Sequence, residues 1–135
     1  MKQLNHVLGV QGEAIAKQYL IDKGYKILEQ NYTTKIGEID IIASIKDIIV
    51  FVEVKNRQTK RFGMPREAIT PYKQNKIRKV AMQYLVAKRL TNKQVRFDCV
   101  EILGDTITHI ENCFGDRLNS NCSMSIVIIL RKIIF

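Results

Sequence analysis

A chain of 135 residues, 46% of them hydrophobic, can bury one real core but not two. Its 22 lysines and arginines against 13 acids leave a formal charge of +9, a balance that points toward nucleic acid or an anionic membrane surface. The odd count of 3 cysteines, none in Cys-x-x-Cys spacing, argues against a disulfide framework or a structural zinc site and suits a reducing compartment.

Met1 to Leu8 carries no apolar h-region, so a cytoplasmic location is the expectation. From about Val10 to Lys23 the pattern is helical, with Ile15, Tyr19 and Leu20 as the apolar positions, Glu13 in the first half and Gly24 as the stop. Tyr25 to Tyr32 reads as a first strand. Residues 39 to 45 and 48 to 54 are rich in β-branched side chains and flank Lys46-Asp47, so they read as a hairpin with a two-residue loop. Asn56 to Arg66 is a polar loop. Thr70-Pro71 is an N-cap followed by a first-turn proline, and Ile77, Val80, Ala81, Tyr84 and Leu85 carry a second helix to about Leu90. Its other face bears Lys73, Lys76, Arg78, Lys79 and Lys88. Val95 to Leu103 is a strand that turns at Gly104-Asp105 into a short one, Thr106 to Ile110. The order is α-β-β-β-α-β-β, in one domain over residues 1–114. The tail, 115–135, is polar and then apolar around Arg131-Lys132, and its last ten residues are too few for a bilayer span, which needs ~20.

The hairpin carries the chemistry. If its loop is symmetric about Lys46-Asp47, Ile45 faces Ile48 and Asp40 falls opposite Glu53. Opposed Cβ atoms lie ~4.5–5.5 Å apart, a span one cation can bridge. Lys55 then shares the face of Glu53, and Glu38 lies opposite Lys55. Alternating charge on the wet side of a strand is ordinary. Here, however, Glu53 and Lys55 end a run, Ile48 to Val54, that is otherwise apolar on both faces, as in a strand covered on both sides. A charge there is costly unless paired or metal-bound, which favours a functional cleft. Two carboxylates suit a hard divalent cation, and a neighbouring ammonium suits water activation or phosphate charge.

Gly12-Glu13-x-x-Ala16, Gly37-Glu38-Ile39-Asp40, Phe51-Val52-Glu53-Val54-Lys55-x-Arg57, Lys73-x-x-Lys76-Ile77 and Arg96-Phe97-Asp98 occur in the order of a known family. Over roughly residues 8 to 114 the chain resembles the YraN-type predicted endonucleases, which look distantly similar to archaeal Holliday junction resolvases. The tail from Gly115 departs from that pattern.

The resemblance implies a restriction-endonuclease-like fold, with a mixed central sheet flanked by helices. It implies that Asp40 and Glu53 hold the metal with the backbone carbonyl of Val54, and that Lys55 orients or deprotonates the attacking water or offsets phosphorane charge. Glu13 matches a family acidic position near the metal. As a first-half helix acid it is equally well explained by the helix dipole. Asp98 is left outside the catalytic set.

Mg²⁺ is the expected cation for all-oxygen ligands, with Mn²⁺ as substitute. Arg57, Lys60, Arg61, Arg66, Lys73 and Lys76 would track a phosphate backbone, which gives affinity without sequence reading. The expected partner is therefore DNA, branched or duplex, with RNA also open, and a symmetric junction cut would call for a homodimer. The alternatives are a nucleic-acid-binding module that has lost catalysis and a basic protein at an anionic membrane. Basic residues spread over a loop and a helix, rather than along one amphipathic stretch, speak against the membrane.

Overall fold

The computed structural model describes residues 2–57 and 69–114, with side chains from residue 11 onward. Five strands and two helices follow one another as α1 (Lys2–Asp22), β1 (Lys26–Thr33), β2 (Glu38–Ile45), β3 (Ile48–Arg57), α2 (Pro71–Ala87), β4 (Gln94–Leu103) and β5 (Thr106–Ile110). The order is the one expected from the sequence. The strands form one sheet in the order β1-β2-β3-β4-β5. All neighbours are antiparallel except β3 and β4, which run parallel because α2 carries the chain from the end of one back to the start of the other. This is the mixed, helix-flanked sheet of a restriction-endonuclease-like fold.

Local signals explain most boundaries. Thr70 caps α2, its hydroxyl accepting from Lys73 N at 3.2 Å, and Pro71 fills the first turn, where a missing N–H costs nothing. Gly24 ends α1 with a positive φ of 94°, a conformation in which side chains are strained. Lys46 and Asp47 both adopt positive φ, 47° and 69°, as a tight hairpin turn of matching twist requires, even without glycine. An ion pair from Lys93 to Asp47 supports that turn.

Each face of the sheet is covered by one helix. On one side Ile77, Val80, Ala81, Tyr84 and Leu85 of α2 pack on Ile42, Ile49, Phe51, Phe97 and Cys99. On the other, Ala16 and Leu20 of α1 pack on Ile41, Ala43, Val50, Val52 and Val100. The strand β3 is thus buried on both faces, which its unbroken apolar run anticipated. Cys99 and Cys113 are both thiols, their sulfurs 2.8 Å apart among the α2-side core residues.

Two details depart from the sequence reading. The first helix begins eight residues before Val10, at Lys2. Leu4, Val7 and Leu8 continue its apolar spacing, and the helix runs through Gly9 and Gly12 although both are poor helix formers. Ile15, expected on the buried stripe, is 43% exposed, and Ala16 takes the buried place. Among the described residues no helix is long and apolar enough to cross a membrane. Cys122 and the tail 115–135 lie outside the described residues, as do Lys60, Arg61 and Arg66.

Candidate metal and phosphate site

The hairpin register is the expected one as far as it goes: Ile45 pairs with Ile48, and the ladder continues to Ile41 opposite Val52. It stops there, one step short of Asp40 and Glu53. Ile41 faces the α1 side while Ile39 packs on the α2 side, so the strict alternation of β2 slips between them. Continued regularly, the ladder would have paired Ile39 with Val54. Instead the Asp40 carboxylate takes that place, its Oδ2 accepting from Val54 N at 2.8 Å.

This break in the ladder gathers the acids. Glu38 and Asp40, two apart on β2, bring their carboxylates together with that of Glu13 from α1. Oxygens of all three lie within 4.8 Å of one another, Glu13 and Asp40 half-buried and Glu38 exposed. An α1 glycine permits the approach. A Cβ on Gly12 would sit 2.6 Å from the Asn56 Cβ, so any side chain there would push α1, and Glu13 with it, off the end of β3. Three convergent carboxylates form an all-oxygen donor set of the kind that holds Mg²⁺ or Mn²⁺.

Glu53 faces α2. It is buried, and one oxygen, Oε1, receives Lys73 Nζ at 2.5 Å and Lys55 Nζ at 3.5 Å. Burial above all, then the charge of Glu53 and, less, of Glu13, pushes the Asp40 carboxyl up to about 7, against the opposing Val54 N–H and Lys73 ammonium. Burial, with Lys73 beside it, holds the Lys55 ammonium below the ordinary lysine value despite Glu53. For Lys73, burial works against the charge, but the hydrogen bond and charge of Glu53 win and raise it. One carboxyl, Asp40, and two ammonium groups, Lys55 and Lys73, of perturbed affinity for protons therefore meet at one end of β3.

The uncharacterised protein family UPF0102 matches residues 12–102, which contain every one of these residues. A UPF0102 protein of Caldanaerobacter subterraneus subsp. tengcongensis is 47% identical over 122 residues, covering 84% of this chain and 100% of the relative. One from Clostridioides difficile is 48% identical over 112 residues, 82% of this chain and 98% of its own length. One from Clostridium botulinum is 44% identical over 128 residues, 94% and 95%. The chain belongs to the UPF0102, or YraN, family.

Other residues singled out in the sequence fall into place around this UPF0102 site, some of them elsewhere than expected. Glu38, expected opposite Lys55, lies beyond the end of the β2–β3 ladder; it pairs with Thr33 of β1 on the other edge of β2 and joins Glu13 and Asp40. The Gly37-Glu38-Ile39-Asp40 motif held the signal for this, since i and i+2 share a strand face. Arg57 lies at the end of β3, its Nε 3.3 Å from the buried Glu101. Lys76 sits over the exposed Tyr72 ring, 4.7 Å from its centroid. Arg78, grouped in the sequence with the solvated basic face of α2, is in fact buried: its Nη2 donates to the Phe114 carbonyl at 3.3 Å and its guanidinium lies over the Phe114 ring. The 3.6-residue period puts position 78 next to Ile77 and Ala81, so a helix packed over a wide arc draws it inward.

Asp98 belongs to a separate network. It accepts two bonds from Arg96, at 2.8 Å each, one from Asn112 N at 2.9 Å, and lies 2.8 Å from His109 Nε2. Burial works against its charge, but His109, Arg96 and Asn112 together hold its carboxyl below the usual range. Neither helix-2 lysines nor the acidic cluster touch it, so its role is to tie β4 to the segment after β5.

Proposed function

We propose that this UPF0102 protein is a metal-dependent endonuclease that hydrolyses phosphodiester bonds in DNA, with a preference for branched or junction-like structure. The observation that carries the reading is the convergence of Glu13, Glu38 and Asp40 within 4.8 Å, beside Glu53 with Lys55 and Lys73 on its carboxylate. The donor set fits Mg²⁺, with Mn²⁺ as substitute: Asp40 at its centre, Glu13 and Glu38 beside it, and Glu53 and the Val54 carbonyl as the further oxygen ligands. A divalent cation bound there supplies Lewis acidity toward a phosphoryl oxygen.

The chain's own groups do the rest. Asp40, deprotonated, positions the donor set through its bond to Val54 N. Lys55, fixed two residues beyond Glu53, stands where an ammonium can orient the attacking water or offset the charge growing on the pentavalent phosphorus. Lys73 and Lys76 in the first two turns of α2 and Arg57 at the end of β3 offer positive charge to a phosphate backbone, and the sequence adds Lys60, Arg61 and Arg66 between them. The +9 charge adds a long-range pull. Phosphate contacts of this kind read shape rather than sequence.

The test is Mg²⁺- or Mn²⁺-dependent cleavage of labelled four-way junction, flap, nicked duplex, linear duplex and single strand. Wild type should cut, the junction best. Glu53→Gln and Asp40→Asn should lose cleavage, and Lys55→Ala should lose most turnover while still binding DNA. Salt-sensitive binding without cleavage of any substrate would replace this reading with that of a nucleic-acid-binding module.

A further inference from the structure

Glu53 stands apart from the other three acids of the site. Its Oε1 already carries two ammonium groups, while Glu13, Glu38 and Asp40 converge without it. Yet it is close enough for its charge to weigh on Asp40. One carboxylate of the site is therefore held by two lysines.

The two lysines are tethered differently. Lys55 follows Glu53 on the same strand face, and its side chain is only 22% exposed. Lys73 comes from the first turn of α2, and its side chain is 40% exposed, so it can leave Glu53 for solvent by side-chain rotation alone. A buried carboxylate stripped of its counter-charge is strongly unfavourable. A divalent ion drawing on Glu53 must therefore compete with Lys73 for it.

We propose that Lys73 is a built-in counter-cation of the metal-free site: its ammonium holds Glu53 until a divalent cation takes that carboxylate, and then turns out toward the phosphate of a bound nucleic acid. The proposal rests on the metal-dependent reading above. Lys73 is on this account a positioning residue. It sets how readily the site loads and links loading to the exposure of a phosphate-binding charge.

The experiment measures binding of Mn²⁺ alone to the full chain, by calorimetry and by the paramagnetic resonance of unbound Mn²⁺. It compares wild type, Lys73→Met, Lys73→Arg, Glu53→Gln and the double variant Lys73→Met/Glu53→Gln. Removing the competing ammonium should tighten Mn²⁺ binding in Lys73→Met roughly tenfold, the scale of one nearby charge in a partly screened site. Lys73→Arg, which keeps the charge, should stay within about threefold of wild type. In the Glu53→Gln background, Lys73→Met should gain far less. Lys73→Gln serves as the neutral variant should Lys73→Met lower the thermal midpoint. Unchanged or weaker Mn²⁺ binding in the neutral variants would overturn the proposal while leaving the metal site standing. So would an equal gain with and without Glu53, which would make the effect one of distant charge only. Absence of Mn²⁺ binding in every protein, wild type included, would overturn the metal-dependent reading and this proposal with it.

Discussion

Replacing Asp40 by Asn should make the metal-free protein more stable, and only at higher pH. The Asp40 carboxyl is half-buried and stands at about 7, far above the ordinary 3.8, because burial and the Glu53 charge penalise its ionised form. A carboxyl raised in the folded state contributes stability that is fully present below the unfolded value of 3.8 and is lost as pH rises through about 7. The full shift, at ~1.36 kcal/mol per unit, corresponds to ~4 kcal/mol. Sharing of the charge with Glu53 and partial access of solvent reduce this to about 1–2 kcal/mol. Asn avoids that penalty and keeps an oxygen to accept from Val54 N. Urea unfolding in the presence of a chelator should show Asp40→Asn about 1–2 kcal/mol more stable than wild type at pH 8. That difference is worth roughly 3–10 °C in thermal midpoint. The difference should shrink as pH falls from about 7, and the two should converge only near the unfolded value of 3.8. Added Mn²⁺ should stabilise wild type and leave the variant nearly unmoved. An Asp40→Asn protein less stable than wild type at pH 8, or a difference that does not change with pH, would refute the reasoning.

Gly12→Ala puts a Cβ 2.6 Å from that of Asn56, and should cost about 1–3 kcal/mol by urea unfolding while weakening Mn²⁺ binding through displaced Glu13. Asp98→Asn breaks a buried charge network, and an unfolding titration should show a loss of about 3 kcal/mol; cleavage by the molecules that remain folded should be unchanged. Lys76→Ala should reduce the slope of log affinity for DNA against log salt by about 1, whereas Arg78→Met, altering a buried group, should leave that slope as it is.

The features legible in the sequence are those decided by neighbours along the chain. The two-residue turn at Lys46-Asp47 sets the β2–β3 register, Thr70-Pro71 starts α2, and Gly104 opens the last turn with a φ of 58°. The resemblance supplied the mixed sheet, and the apolar run of β3 gave notice that Glu53 would be buried. What the chain order could not convey was tertiary. The slip in β2 that ends the ladder at Ile41 depends on Asp40 competing for Val54 N, a contact across two strands. The pairing of Lys73 with Glu53 and the inward turn of Arg78 depend on where α2 lies on the sheet. An amphipathic pattern sorts side chains by type, and it assigns an arginine to water even where its guanidinium finds a carbonyl and a ring to lie on.

The central claim is that one site, built on Asp40, binds both the metal and the scissile phosphate. The most direct measurement is the anomalous diffraction of Mn²⁺ in crystals of the Lys55→Ala protein with a junction oligonucleotide, since this variant should bind both but turn over slowly. The account predicts a Mn²⁺ peak in contact with Asp40, with at least one of Glu13, Glu38 and Glu53, and with a phosphate oxygen, and Lys73 turned away from Glu53. A peak elsewhere, or DNA whose phosphates pass at a distance from Asp40, would contradict it.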